Sequence, residues 1–314
     1  MSHVAHSGAL PARFRRTRIL IVGCGDIGLR VARVLRGRAN LLALSSSTHR
    51  TVELRQAGVK PLQGDLDLPA TLRRLAGLGH LVIYLAPPPG TGWTDPRTLA
   101  LTRALRLRQP PQGLVYASTS AVYGDCQGQI AIETRTTNAY TQRAWRRFDA
   151  EKSVRFLGRS AFVRASILRV PGIYAPDREG GTPRQRLEKG MPVLQASDDV
   201  FTNHIHADDL ARACVATLRR GQPQRVYNVN DDSAMKMGDY YDLAADLYGL
   251  PRPRRLPRSV ASDQLPLMLL SFMNESRRMD NTRMKRELRL KLHYPTVHSG
   301  LLTGAGVNPS PTQA

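Results

Sequence analysis

Short apolar, β-branched runs alternate along the first two-thirds of the chain with longer stretches whose apolar positions recur every three or four residues. The short runs predict strands over residues 19–22, 41–44, 59–62, 81–85, 113–117, 162–168 and 226–229. The longer stretches predict helices over 27–36, 51–56, 69–75, 96–107, 142–156 and 208–218. Strands that are apolar throughout, each followed by a helix, fit a doubly wound parallel α/β sheet covered on both faces. From residue 171 the rhythm thins. Loops with Pro and Gly enclose 183–189, and helices are expected over 237–248, 259–270 and 281–290. The expected organisation is a disordered leader over 1–17, a sheet domain over 18–170, the last sheet strands with a smaller, mostly C-terminal substrate lobe over 171–302, and a disordered tail over 303–314. No internal repeat is visible.

Composition narrows the function classes. The 314 residues are 41% hydrophobic, an ordinary share for a chain with a real core. No run approaches the roughly 20 apolar residues of a membrane span, and the polar, basic start lacks the apolar segment of a signal peptide. Cys24, Cys126 and Cys214 stand far apart, which argues against a disulfide framework or a zinc site and points to the cytoplasm. The formal net charge of +21 admits nucleic acid as a partner or an anionic ligand. Its basic residues are spread over 13–18, 30–38, 143–147, 252–258 and 277–291 and accompany no nucleic-acid module, so a small-molecule ligand is the expectation.

The first strand runs into Gly23-Cys24-Gly25-Asp26-Ile27-Gly28, and a helix follows at once. In G-x-G-x-x-G the first glycine makes a tight turn, the second lets backbone approach a pyrophosphate, and the third lets the helix close on the strand. Free N–H groups and the helix dipole then favour the anion. The expectation is a Rossmann-type sheet holding NAD or NADP. NAD sites place a carboxylate about 20 residues on, for the ribose 2′-hydroxyl. Here that place reads Ser45-Ser46-Ser47-Thr48-His49-Arg50, with no carboxylate before Glu53. Arg50 and His49 would suit a 2′-phosphate, which tilts the expectation to NADP, unless Arg50 merely decorates the next helix.

Further motifs follow in a known order. The chain resembles the extended short-chain dehydrogenase/reductase superfamily, in its NAD-dependent epimerase/dehydratase branch, over residues 18–250. Gly64-Asp65-Leu66-Asp67 is similar to the acidic segment whose first Asp contacts adenine, and Leu85-Ala86-Pro87 to the segment under the adenosine ribose. Residues 115–124 resemble the fifth strand with its serine-rich end, residues 168–174, with Pro171, the stretch beside the nicotinamide, and residues 203–210 the His-x-Asp-Asp helix start. The run from Ser271 to Arg278 suggests a narrower, atypical subfamily.

The resemblance implies catalysis by a Ser or Thr with a Tyr-x-x-x-Lys pair, in which the lysine lowers the tyrosine pKa and the phenol exchanges a proton with the substrate. Thr119 matches the Ser/Thr. The tyrosine and lysine are missing, and framing from Glu151 puts Arg143 and Arg147 in their places. Arginine stays charged and cannot exchange that proton, although Arg147 would suit a ribose or a phosphate. Arg143, Arg146 and Arg147 would otherwise form a solvated helix face. Either another donor acts, Tyr123 or Tyr140, or the protein binds its cofactor without turnover. His204 and His206, with Asp208 and Asp209, are read as structural and not as a metal site, and Tyr240, Tyr241 and Tyr248 as packing.

Overall fold

The strand sequence Ile19-Leu20-Ile21-Val22 shows how the core divides. Successive side chains point to opposite faces, so Ile19 and Ile21 enter one apolar cluster and Leu20 and Val22 the other. The computed structural model describes residues 16–265, 270–271 and 273–302. Seven strands form one sheet: β1 (Arg18–Val22), β2 (Asn40–Ser45), β3 (Val59–Gln63), β4 (Leu81–Tyr84), β5 (Gly113–Thr119), β6 (Arg164–Val170) and β7 (Arg225–Asn228). Their order across the sheet is β7-β6-β5-β4-β1-β2-β3, and every neighbouring pair is parallel. Order reverses at β1, the switch point where doubly wound sheets open a ligand crevice at the carboxyl ends of their strands.

Helix α1 (Asp26–Leu35) and α4 (Ala207–Arg220) cover one face through Val31, Ala32, Leu35, Leu210, Cys214 and Leu218. Helix α2 (Pro96–Leu105) and α3 (Gln142–Ser160) cover the other through Leu101, Leu105, Ala150, Val154 and Leu157. Thr141 caps α3 by accepting from the Ala144 N–H, and Asp95 caps α2 by accepting from that of Thr98. A third cluster, with Tyr174, Leu187, Val193, Met237, Tyr241 and Leu301, makes the core of a smaller lobe around α5 (Met237–Tyr248). The chain crosses into this lobe after β6, returns for β7 and crosses again, so the lobe is woven into the sheet domain.

The structure corrects several element limits. The strand expected over 162–168 is Arg164–Val170. Phe162 sits at φ 53 and is 95% exposed, so its apolar character misplaces the start: left-handed backbone cannot continue a strand. The helix expected over 142–156 runs on to Ser160. The one over 281–290 covers Thr282–Leu288 and stops where Arg289 turns left-handed. Of the one over 259–270, a first helix covers Arg258–Gln264, and residues 266–269 lie outside the described residues. The expected tail, and the leader up to residue 15, lie outside the described residues.

Part of the positive charge is paired within the fold. Buried Arg30 donates to Asp26, Asp177 and Asp208, tying α1 to α4 and to the loop after β6. Arg169 is held by the buried Glu151, and Arg225 by Glu287.

Candidate active site

Five strand ends bring the expected cofactor residues to one edge of the sheet. After β1, Gly23 adopts φ 87, and a Cβ there would stand 2.3 Å from the Ala86 nitrogen. A Cβ on Gly28 would stand 3.1 Å from the Gly23 carbonyl oxygen. At Gly25, the N-cap of α1, a Cβ would meet nothing within 4 Å. Two glycines are therefore demanded by packing, and the third borders open space at a helix N-terminus, where Asp26 and Ile27 begin α1. Burial pushes the Cys24 thiol up to about 11, so it is an inert packing group.

At the end of β2, the Ser45 hydroxyl donates to the Ser47 carbonyl. Arg50 reaches back to the glycine loop, donating to the Cys24 carbonyl at 2.7 Å while pairing with Glu53 at 2.9 Å. It is thus more than decoration of its helix. After β3, Asp65 accepts from the Asp67 N–H, Leu66 packs on the core, and Asp67 holds Arg97 through both carboxylate oxygens. After β4, the N–H groups of Leu85 and Ala86 donate to the Val22 carbonyl, and Pro87 accepts from Arg97.

Arg147 projects from α3 beneath this edge. Its Nη1 donates to the carbonyl of Ala117 at 2.9 Å, the hydroxyl of Tyr116 at 3.2 Å and the carbonyl of Ala86 at 3.5 Å. Arg143, one turn earlier and exposed, lines a cleft of about 490 Å³ between sheet and lobe. Thr119 and Pro171 line the same cleft, and the Thr119 hydroxyl accepts from the Ala121 N–H.

The two expected proton donors part company. Tyr123 is only 1% exposed, donates to Asn228 at 2.7 Å and lies under the Arg169 guanidinium, away from the cleft. Tyr140 is half exposed and hydrogen-bonds to Glu275; burial and that carboxylate push its phenol up to about 12. His206 accepts from the Asp208 N–H and caps α4, while Asp209 accepts from the N–H groups of His293 and Tyr294. Tyr240 and Tyr241 pack in the lobe core and also line the cleft, a role their helical spacing did not suggest.

Glu275, Arg277, Arg178 and Arg186 line the cleft and were not expected there. The run from Ser271 to Arg278 was the available signal for the first two. Residues 275–279 form a strap: Arg278 and Met279 pair with Ile130 and Ala131, Ser276 bonds Asp125 and Phe201, and the Asn203 side chain donates to the Arg277 carbonyl.

A family model for the NAD dependent epimerase/dehydratase family matches residues 19–230. The chain belongs to that family. Among relatives of the chain, Protein YeeZ of Escherichia coli is 25% identical over 287 residues, 88% of this chain and 96% of its own. A 3-diazoavenalumate denitrifying reductase from Streptomyces is 27% identical over 146 residues, 45% of this chain and 47% of the reductase. The chain therefore matches about half the length of that relative. A functionally unknown conserved protein from Silicibacter pomeroyi superposes with a TM-score of 0.76 at 26% identity, covering 92% of this chain and 98% of that one. Among the described residues of this family member no helix is long and apolar enough to cross a membrane.

Proposed function

We propose that the chain is a dinucleotide-dependent oxidoreductase or epimerase-like enzyme acting on a polar small molecule, with NADP preferred to NAD. One observation carries the reading: the open space beside Gly25 lies at a helix N-terminus, on the strand edge that also presents Arg147 and, at the cleft, Thr119. A bound dinucleotide supplies hydride exchange at its nicotinamide. The N–H groups of the glycine loop hold its pyrophosphate, Asp65 and Leu66 border the adenine, and Ala86 and Pro87 lie under the adenosine ribose. Arg50 meets the 2′-phosphate beside Ser45. Arg147, anchored by one nitrogen, keeps other N–H groups for the nicotinamide ribose. Pro171 closes the nicotinamide side.

In the cleft, Thr119 hydrogen-bonds the reacting oxygen, and the fixed charge of Arg143 stabilises negative charge that develops on it. Neither supplies a proton as readily as a phenol of lowered pKa. Tyr140 is the nearer candidate, yet at about 12 it protonates only a strongly basic oxyanion. Tyr123 is committed to Asn228.

A second reading has its own observation, since arginines stand at both places where the resemblance expects tyrosine and lysine. On that reading the protein senses a dinucleotide without turnover. Fluorescence titration with NADPH and NADH, followed by NADPH consumption over a panel of carbonyl compounds, separates the two. Binding with consumption supports the enzyme, binding without consumption the sensor, and no binding of either dinucleotide overturns both.

A further inference from the structure

The strap brings one carboxylate and one guanidinium into the cleft. Glu275 and Arg277 are each less than a tenth exposed and form an ion pair. Arg277 is fixed by donating Nη1 to the Gly124 carbonyl at 2.6 Å, while its Nε is a buried donor with no acceptor among the described residues. Arg143 lies within electrostatic reach of both. A buried pair recovers its desolvation cost only when its hydrogen bonds are complete, and this one leaves a donor over. Among the residues lining the cleft, Arg143, Arg178, Arg186 and Arg277 stand against one carboxylate, Glu275, which leaves net positive charge for a further anion. The lobe wall is aromatic, with Phe201, Tyr240 and Tyr241.

We propose that Arg277 and Arg143 form the subsite for a carboxylate on a flat, aromatic substrate, and that Glu275 is its internal competitor. This rests on the cleft being the substrate site of a dinucleotide-binding protein. The argument for a carboxylate is that the subsite already accommodates one: Glu275 pairs through Oε2 with a terminal nitrogen of Arg277. The rings of the lobe wall then offer a face to an aromatic body.

The test is saturation-transfer NMR on the full chain with NADPH present, titrating benzoate, benzamide, inorganic phosphate and UDP-glucose. Benzoate is expected to bind about tenfold or more tightly than benzamide, the scale of a charge-assisted hydrogen bond. Arg277→Gln and Arg143→Gln each remove that advantage, and Glu275→Gln tightens benzoate severalfold. Equal binding of benzoate and benzamide overturns the proposal. So does weaker benzoate binding in Glu275→Gln with NADPH affinity intact, or binding by phosphate or UDP-glucose without benzoate. Should a strap variant unfold, Arg143→Gln, at an exposed helix position, decides alone. A parent that binds NADPH but no carboxylate fails only the subsite, whereas one that binds no dinucleotide fails the functional reading.

Discussion

Arg147 donates to the carbonyl oxygen of Ala117 at 2.9 Å, at the end of the strand that neighbours the one leading to Ala86. One guanidinium nitrogen thus spans two strand ends and leaves the other two nitrogens over, whereas a lysine's ammonium would be spent on those contacts. Arg147→Ala is expected to weaken dinucleotide binding about tenfold or more and to lower the unfolding midpoint, because buried carbonyls lose their donor. Arg147→Lys recovers part of the affinity. Calorimetric titration with NADPH and thermal unfolding of each variant check both statements; an Arg147→Ala protein with parental affinity refutes the role.

The glycine loop separates into positions with different costs. Gly25→Val fills open space and is expected to abolish dinucleotide binding at an unchanged unfolding midpoint. Gly28→Val must push its Cβ towards the Gly23 carbonyl and the Cys24 side chain, so it loses binding and stability together. Melting curves alongside NADH and NADPH titrations distinguish the pair.

Cofactor choice turns on Arg50 and its partner. The parent is expected to bind NADPH more tightly than NADH, and Arg50→Ala to narrow that gap by about 1–3 kcal/mol, the scale of hydrogen bonds to charged groups. Glu53→Gln, which frees Arg50 from its ion pair, widens it. Equal affinities in the parent would make the Ser45–Arg50 region a neutral ribose site.

For turnover, Thr119→Val and Tyr140→Phe are each expected to lower kcat, Thr119→Val roughly 10²-fold, the scale of losing one hydrogen-bond donor to the reacting oxygen. Tyr123→Phe leaves kcat alone and costs about 1 kcal/mol of stability through the lost bond to Asn228. A rate loss confined to Tyr123→Phe reverses the assignment.

Asp231 gives the pH dependence a sign. It is 1% exposed, one carboxylate oxygen has no partner among the described residues, and burial raises its carboxyl to about 8. The folded state therefore holds a proton that the unfolded chain releases near 4, and this contribution to stability, complete below about pH 4, is lost as pH rises to 8. Asp231→Asn keeps the acceptor for the Ser233 N–H. Its midpoint should match the parent at pH 4 and exceed it at pH 8; a constant difference across that window refutes the titration.

The sheet was legible because its information is local. Alternation within β1 assigns faces to Ile19 and Leu20, and the glycine spacing assigns the turn after it. Tyr123 misled because it directly follows the strand end that carries Thr119, and chain proximity does not reveal that its hydroxyl turns to Asn228, 105 residues away. Glu275 and Arg277 escaped for the same reason. The strap's partners Gly124, Asp125 and Asn203 lie 74 to 153 residues distant, and nothing in its spacing announces them.

The strap also divides the labour of inheritance. The family match ends at residue 230, so the glycine loop, Arg50 and Arg147 belong to the shared part, while Tyr240, Tyr241, Glu275 and Arg277 lie beyond it. On the proposed assignment, changes confined to those last residues would alter what enters the cleft and leave the residues proposed to hold the cofactor untouched. On that assignment a lineage can exchange substrates while keeping its coenzyme and Thr119, since both belong to the part before residue 230.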